Sequence, residues 1–448
     1  METLLWAVGF ALLGGIIYML IGLISGTDET AVLVPGTIII ILLGVPPVAV
    51  FSFFIAAVMS KHMTHAIPTT LLGVPGDTLA IPMMDYANTM RRLGVPHIAL
   101  RKMISGSVLG AVIAVPVAVG FAALIAPLGD IIEPWIPIVF LLMAVFIAYT
   151  STGKWASLFA LIPFMILLQA LTRMASEADH PISIGVFMGI AIGPMIADVL
   201  TVLSPVARDK LTREGKRAFW LAPENKSWKG WFPNPLKILS GKQIRNISVG
   251  CFISSLTFTF SPVGMTVIVG EFIHNRVKGT YQKLTSTLSA MNAVAESTYI
   301  AELVIPLIAF GVPLSPMAMG PGQALFNCPP VFSLDNNLHH LMSTGDFLLY
   351  GMIGVVVAAV VAYPFSMNLA RKAAAVALKY VSQEAIISMF FGLMVVVAFY
   401  EGGLVGALTS ITIGMICGVF NRYFGVGVGV QFMSWYASSW VILQIFGI

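Results

Sequence analysis

Ten stretches of this chain carry no charged side chain over about the length of a bilayer-crossing helix, ~20 residues. They are residues 3–24, 32–60, 103–127, 134–153, 155–172, 180–197, 246–270, 347–370, 385–400 and 402–421. A chain built this way folds with lipid as its solvent. Hydrophobic residues make up 58% of the 448 and charged ones only 10%, with a mean hydropathy of +0.93. A water-soluble protein of this length could not hide so much apolar surface. No segment between the stretches is long enough for a further globular domain, so the expectation is one membrane domain. Met1-Glu2-Thr3-Leu4 lacks the basic start of a cleaved signal, and the apolar run after it exceeds a signal core, so it reads as a retained first helix.

Charge placement gives an orientation. Arg208, Lys210, Arg213, Lys216, Arg217, Lys226, Lys229, Lys237, Lys242 and Arg245 gather 10 of the 24 basic residues in one connection. Such a connection marks a cytoplasmic loop, and a nucleic-acid partner is not implied. With that loop inside, Lys61, the Arg91–Lys102 stretch and Lys154 fall inside, whereas Asp28-Glu29, Asp130, Glu133, Glu177 and Asp179 fall outside, placing the N-terminus inside. The second half fits less well. His274, Arg276, Lys278 and Lys283 lie outside if 246–273 crosses once, unless the chain turns back at Ser261-Pro262-Val263-Gly264. Cys251, Cys328 and Cys417 have no metal-like spacing and read as small core residues.

One phrase recurs within these apolar surroundings. Residues 67–75 read I-P-T-T-L-L-G-V-P and residues 305–313 read I-P-L-I-A-F-G-V-P. Ile67 and Ile305 stand 238 positions apart, close to half the chain. Proline and glycine are common as kinks in membrane helices, but a duplicated breaker unit needs a duplicated structural role. Paired broken helices hold the substrate site in many transporters. In the first copy Pro68 interrupts the incoming helix, Gly73 suits a left-handed stop, and Pro75 fits the first turn of a second half-helix. Unpaired N–H groups at Gly76, Asp77 and Thr78 would then offer a positive end to an anion. In the second copy Pro313 leads to Leu314 and Ser315, so the two tips are related but not equivalent.

Polar side chains gather around both copies: Thr64, His65, Thr69, Thr70, Asp77, Thr78 and Asp85 near the first, and Asn292, Glu296, Ser297, Thr298, Tyr299, Glu302 and Ser315 near the second. Thr69, Thr70, Ser297 and Thr298 are expected hydroxyl donors to substrate, with backbone N–H groups near Gly76–Thr78 and Leu314–Ser315. Glu296 and Glu302 are intramembrane carboxylates, which serve as ion ligands, proton carriers or partners of a cation. With Asp77 they are the candidate sodium or proton sites, a structural salt bridge being the competing reading. Asp77 could also cap its own half-helix.

These residues resemble a known family, the large membrane subunit of tripartite tricarboxylate transporters. Val34-Pro35-Gly36 resembles its early Pro-Gly break, and Leu71-Leu72-Gly73-Val74-Pro75-Gly76 its later signature. Met84-Asp85-Tyr86 through Met90-Arg91-Arg92-Leu93-Gly94 is similar to its aspartate-glycine-tyrosine stretch. Ser261-Pro262-Val263-Gly264, Leu303-Val304-Ile305-Pro306 through Gly311-Val312-Pro313, and Gly320-Pro321-Gly322 continue the match in order. The resemblance implies carboxylate uptake across a bacterial or archaeal inner membrane, with a small membrane subunit and an extracytoplasmic binding protein as partners. The chain departs from the family at Thr64-His65-Ala66, Asn292-Ala293, Glu296-Ser297, Ala301-Glu302 and Leu314. A different anion, a cationic or zwitterionic solute, or different ion coupling therefore stays open.

The expected fold is an all-α polytopic membrane protein of two inverted-topology repeats, each with a broken-helix re-entrant hairpin. Residues 1–204 form the first repeat with its hairpin near 62–83, residues 205–245 the basic loop, and residues 246–448 the second repeat with its hairpin near 293–320. Ten to twelve crossings accompany the hairpins, and residues 85–102 form an amphipathic interfacial helix. The expected function is secondary active import of a small organic anion, held between the two tips and coupled to Na+ or H+, with no other cofactor or metal. An ion channel is the rival reading, and a homodimer is admitted. An enzyme is not expected: Val74-Pro75-Gly76-Asp77 lacks the first glycine of a G-x-G-D aspartyl site, and no H-E-x-x-H zinc motif occurs.

Overall fold

Apolar runs become helices in the computed structural model, which describes residues 2–25, 27, 29–132, 135–150, 153–177, 228, 230–258, 261–380 and 383–428, with isolated positions in 186–206 and 430–438. The first half contains α1 (Glu2–Ile21), α2 (Glu29–Leu42), α3 (Pro47–Ile67), α4 (Met84–Arg92), α5 (Pro96–Ile125), α6 (Ile136–Thr150) and α7 (Trp155–Glu177). The second contains α8 (Gly241–Ser254), α9 (Pro262–Arg276), α10 (Thr280–Ala309), α11 (Thr344–Asn368), α12 (Ala370–Tyr380) and α13 (Gln383–Phe424), the last kinked at Gly403. Among the described residues there is no strand, and six helices are long and apolar enough to cross a membrane. The chain is therefore an all-α polytopic membrane protein. Most of the charge-free stretch 180–197, most of the chain after 428, and the loop positions Arg208 through Lys226 and Lys229 lie outside the described residues.

The helix that organises the rest is α10. Its membrane-crossing window is buried throughout, although the helix contains Asn292, Glu296 and Glu302. A helix with no lipid-facing side can hold polar groups that lipid would reject. Its hydroxyls turn back on the helix: Thr298 Oγ1 donates to the Val294 carbonyl at 2.7 Å and Ser289 Oγ to that of Ser286 at 3.1 Å. Helix α5 lies against it so closely that a Cβ on Gly110 would stand 2.6 Å from the Ala293 carbonyl oxygen, and one on Gly106 would strike that of Ser289. The Gly106-x-x-x-Gly110 spacing is what such an approach needs. Gly14 plays the same part between α1 and α3, against Phe53.

The packing is reciprocal. Helix α5 of the first half lies on α10 of the second, and α11 of the second lies on α3 of the first. Within each half, α1 packs on α3 and α8 on α10.

Three sequence expectations change. The Pro-Gly break expected at Val34-Pro35-Gly36 does not interrupt the chain, because Pro35 is accommodated inside α2, and the stretch 32–60 breaks at 43–46 instead. The expected interfacial helix over 85–102 is two elements: α4 ends at Arg92, Gly94 takes a positive φ of 76°, and α5 starts at Pro96. Residues 246–270 are divided between two helices, each too short to cross a membrane by itself. Helices α8 and α9 have 14 and 15 residues, about 21–22 Å at 1.5 Å per residue, well short of the ~30 Å apolar core. They form a hairpin whose turn precedes Pro262, so Lys242 and Arg245 at the start of α8 share one cavity with Arg276 and Lys278 at the end of α9. The chain turns back at the proline break, and the basic residues that fitted the charge rule poorly lie on the same face as the central connection. The three cysteines are buried, as expected of small core residues.

Candidate functional site

Lys61, His62 and His65 lie within five residues of α3, Lys61 and His65 being one turn apart. All are buried, Lys61 completely. The chain beyond them folds back to meet them. Helix α3 runs into a wide turn, Pro68–Leu72, that ends at Gly73 with φ 73°. The extended Asp77 then starts a short 3-10 helix, Thr78–Met83, whose Ala80 N–H donates to Asp77 Oδ1 at 3.3 Å. The returning strand of chain lies directly on α3: a Cβ on Gly76 would overlap the His65 backbone. Gly76 N–H donates to Thr69 Oγ1 at 3.1 Å, and Thr69 Oγ1 donates to the His65 carbonyl at 2.7 Å.

This fold-back carries Asp77 into the cations of α3. Lys61 Nζ lies 2.9 Å from Asp77 Oδ2 and 3.4 Å from Glu29 Oε1 at the start of α2. His65 Nδ1 is 2.7 Å from Asp77 Oδ2, and its Nε2 is 3.1 Å from Asn292 Oδ1 on α10. His62 Nε2 is 2.6 Å from Glu29 Oε1, and its Nδ1 stands 3.4 Å from Glu296 Oε2 on α10. Ser107 Oγ of α5 donates to Glu296 Oε2 at 3.1 Å and accepts from Asn292 Nδ2 at 3.3 Å. The contacts close on themselves: Glu29, His62, Glu296, Ser107, Asn292, His65, Asp77, Lys61 and back to Glu29. This ring of eight side chains is buried and joins elements from both halves.

The ring's hydrogen-bond directions assign its protons. Asn292 Nδ2 donates to the Met103 carbonyl at 3.2 Å, an acceptor only, so Asn292 Oδ1 faces His65 and must accept. His65 therefore donates through both nitrogens, one to Oδ1 and one to the Asp77 carboxylate. His62 also faces a carboxylate oxygen from each nitrogen. Three basic side chains, Lys61, His62 and His65, thus face three carboxyl groups, Glu29, Asp77 and Glu296, and pairing of this kind is the condition under which charge is tolerated at such depth. Glu29, His62 and Asp77 offer ligand atoms within 4.8 Å of one another, as a metal site would. Lys61 Nζ already bridges the two carboxylates, so a metal ion would meet an ammonium group there.

The second phrase builds a parallel tip at an offset of 238. Gly311, like Gly73, has a positive φ, 66°. Ser315, like Asp77, caps a helical turn, here Pro316–Met319, and accepts from Ala318 N–H at 3.1 Å. Ser315 Oγ donates to the Glu302 carbonyl, and Glu302 Oε2 accepts from Met317 N–H at 3.3 Å. Glu302 is fully buried, and its Oε1 has no hydrogen-bond partner among the described residues. Helical turns start at Thr78 and Pro316, with Pro75 and Pro313 in the extended tips before them. Each turn is capped by its own side chain, and neither reaches eight residues.

The expected site residues thus separate. Asp77 and Glu296 come together in the ring, whereas Glu302 and Ser315 share the second tip. Thr69 ties down Gly76, Thr70 donates to the Ala66 carbonyl at 2.7 Å, and Thr78 is exposed. Ser297 faces α8, 2.7 Å from Ser254 Oγ, and Leu314 packs with Met165 and Val312. Lys61 and Glu29 correct the charge reading: they were set on opposite membrane faces, and they are an ion pair inside the protein. Sequence reasoning missed Lys61, His62, Glu29 and Ser107 as site residues. Lys61, four residues before His65 and flanked by apolar runs, was the available signal.

A family model described as the tripartite tricarboxylate transporter TctA family matches residues 8–423. No curated protein and no solved structure matches the chain.

Proposed function

Since the chain belongs to the tripartite tricarboxylate transporter TctA family, we propose that it imports a small carboxylate-class anion coupled to protons. The family is one of transporters, not enzymes, and it works within a tripartite system with partner subunits. A small membrane subunit, an extracytoplasmic binding protein and a bacterial or archaeal inner membrane complete the proposal.

The eight-membered ring carries this reading. Lys61, His62 and His65 are three cationic donors in a buried position, and their carboxylate partners come from separate elements. Asp77 is on a hairpin tip, Glu29 at a helix start and Glu296 on the axis helix. A substrate carboxylate entering beside the first tip can take the place of Asp77 on Lys61 and His65. The excess negative charge is then relieved by a proton, which the carboxylate of Asp77 or Glu296 can hold. Sodium fits less well, because the Lys61 ammonium already stands between Glu29 and Asp77, where a coupling cation would be held. The second tip, with Glu302 and Ser315, is the opposite wall of the site, and the two halves move as inverted repeats around it. Its unpaired Glu302 oxygen favours a zwitterionic solute as the second reading, an ammonium group pairing with that carboxylate.

Uptake of a panel of mono-, di- and tricarboxylates into proteoliposomes, under an imposed pH gradient or an imposed sodium gradient, tests the proposal. Uptake driven by the pH gradient and absent in Lys61→Met is expected. Sodium-driven uptake indifferent to pH would sink proton coupling, and gradient-independent currents would make the protein a channel.

A further inference from the structure

A second charged region lies apart from the ring, where α8, α9, α10 and α5 meet. A cavity of about 930 Å3 is lined there by Lys102, Lys242, Arg245, Arg276 and Lys278. Among the described residues no acidic side chain lines it, and none of the five forms an ion pair. Its floor is built and polar. Lys102 Nζ donates to Gln243 Oε1 at 2.9 Å, and Gln243 Nε2 donates to Thr285 Oγ1 at 3.1 Å, with Gln243 and Thr285 buried. The 30-residue α10 begins at this cavity without a side-chain cap, so its first N–H groups add a positive end. Five basic side chains around one cavity, with no acidic side chain among its described lining residues, make a field that attracts an anion.

The surroundings say which anion. The helices that carry Arg245 and Arg276 continue into exposed apolar side chains, Val249, Phe252 and Ile253 on α8 and Ile268 and Phe272 on α9. The Arg276 guanidinium lies 3.9 Å from the Phe272 ring centre, where basic head and apolar strip meet. The geometry points to an anionic phospholipid, its phosphate headgroup among Arg245, Arg276 and Lys278 and its acyl chains along α8 and α9. The ligand chemistry is a phosphate anion attached to an apolar tail. The α8–α9 hairpin, whose helices are each too short to cross a membrane, is then held against the bilayer by the lipid it binds.

Native mass spectrometry of the full chain in detergent, with phosphatidylglycerol or phosphatidylcholine added at matched concentration, tests this. Each Lys or Arg near a membrane surface contributes about fivefold to anionic-lipid affinity. Wild type is expected to retain phosphatidylglycerol preferentially, and Arg245→Gln/Arg276→Gln to bind it at least tenfold more weakly. Should that double variant fail to fold, Lys278→Gln in the exposed link is expected to show about a fivefold loss. Equal retention of both lipids by wild type, or unchanged retention by the variants, overturns the proposal. Inorganic phosphate that displaces the lipid at micromolar concentration identifies a free-phosphate site and overturns the lipid assignment.

Discussion

His65 and Asn292 are 227 positions apart in the chain, and their side chains meet at 3.1 Å. That contact joins a helix of the first half to the axis helix of the second, inside protein that water does not reach. The Asn292 amide is fixed from behind by the Met103 carbonyl and Ser107 Oγ. It thereby sets which atom His65 sees, and so the proton on His65 Nε2.

Asn292→Leu should therefore affect more than one bond. It removes the acceptor of His65 Nε2 and leaves that donor buried, at a cost of about 1–3 kcal/mol. A lower melting temperature and a loss of uptake are expected together. Asn292→Asp keeps an acceptor but adds a fourth carboxylate to a balanced set. It should transport only at lower external pH, and a pH profile identical to wild type would show that the ring's charge balance does not matter.

Lys61 is the residue whose loss the ring tolerates least. Lys61→Met removes the cation that bridges Glu29 and Asp77 and leaves their contacts with His62 and His65 alone to hold the two carboxylates, a defect of roughly 3–5 kcal/mol. Removing the opposite charge as well, in Lys61→Met/Asp77→Asn, should restore part of that stability and none of the transport. The double-mutant cycle in thermal denaturation measures the coupling. Additive effects would mean that the 2.9 Å contact carries no energy.

The tips make a backbone prediction. Gly73 and Gly311 both have left-handed φ, and a Cβ would stand 2.7 Å from Asn88 Oδ1 at the first and 3.0 Å from the His339 ring at the second. Alanine at either costs about 1–2 kcal/mol for the conformation alone, with the steric term added. Gly44→Ala, also at positive φ but with open space around it, is the control. Gly73→Ala and Gly311→Ala should lose more stability than Gly44→Ala and should lose transport, which Gly44→Ala keeps.

Much of this was legible in the sequence. The charge-free runs gave the fold class, and the repeated phrase led to two tips with matching glycines and matching caps. Glu296 stands out as a carboxylate in an apolar run, and Asp77 by its place directly after the first copy of the phrase. Lys61 and Glu29 do not, because the rule that reads basic residues as loop markers has no means of pairing charges brought together by folding. For the hairpin of α8 and α9 the sequence left two readings open, a single crossing or a turn back at Ser261-Pro262-Val263-Gly264, because a charge-free stretch from 246 to 270 has the composition of a crossing helix and only the turn before Pro262 divides it in two. The tips also begin their helical turns later than the prolines suggest, since Asp77 and Ser315 cap better than Pro75 and Pro313 start.

Glu302 separates a structural role from a coupling role. Its Oε2 accepts the Met317 N–H at 3.3 Å, while Oε1 has no hydrogen-bond partner among the described residues. Glu302→Gln keeps an oxygen acceptor for Met317 and removes the ability to gain or lose a proton. If Glu302 only secures the second tip, Glu302→Gln should melt and transport like wild type. If it binds the coupling proton or the ammonium group of a substrate, stability should hold within about 1 kcal/mol while gradient-driven accumulation is lost and exchange of substrate across the membrane persists. Measuring accumulation and exchange on the same proteoliposomes tells these apart. Glu302→Ala is the less informative change, because it also strips Met317 N–H of its acceptor and destabilises the tip whatever the role of the carboxylate.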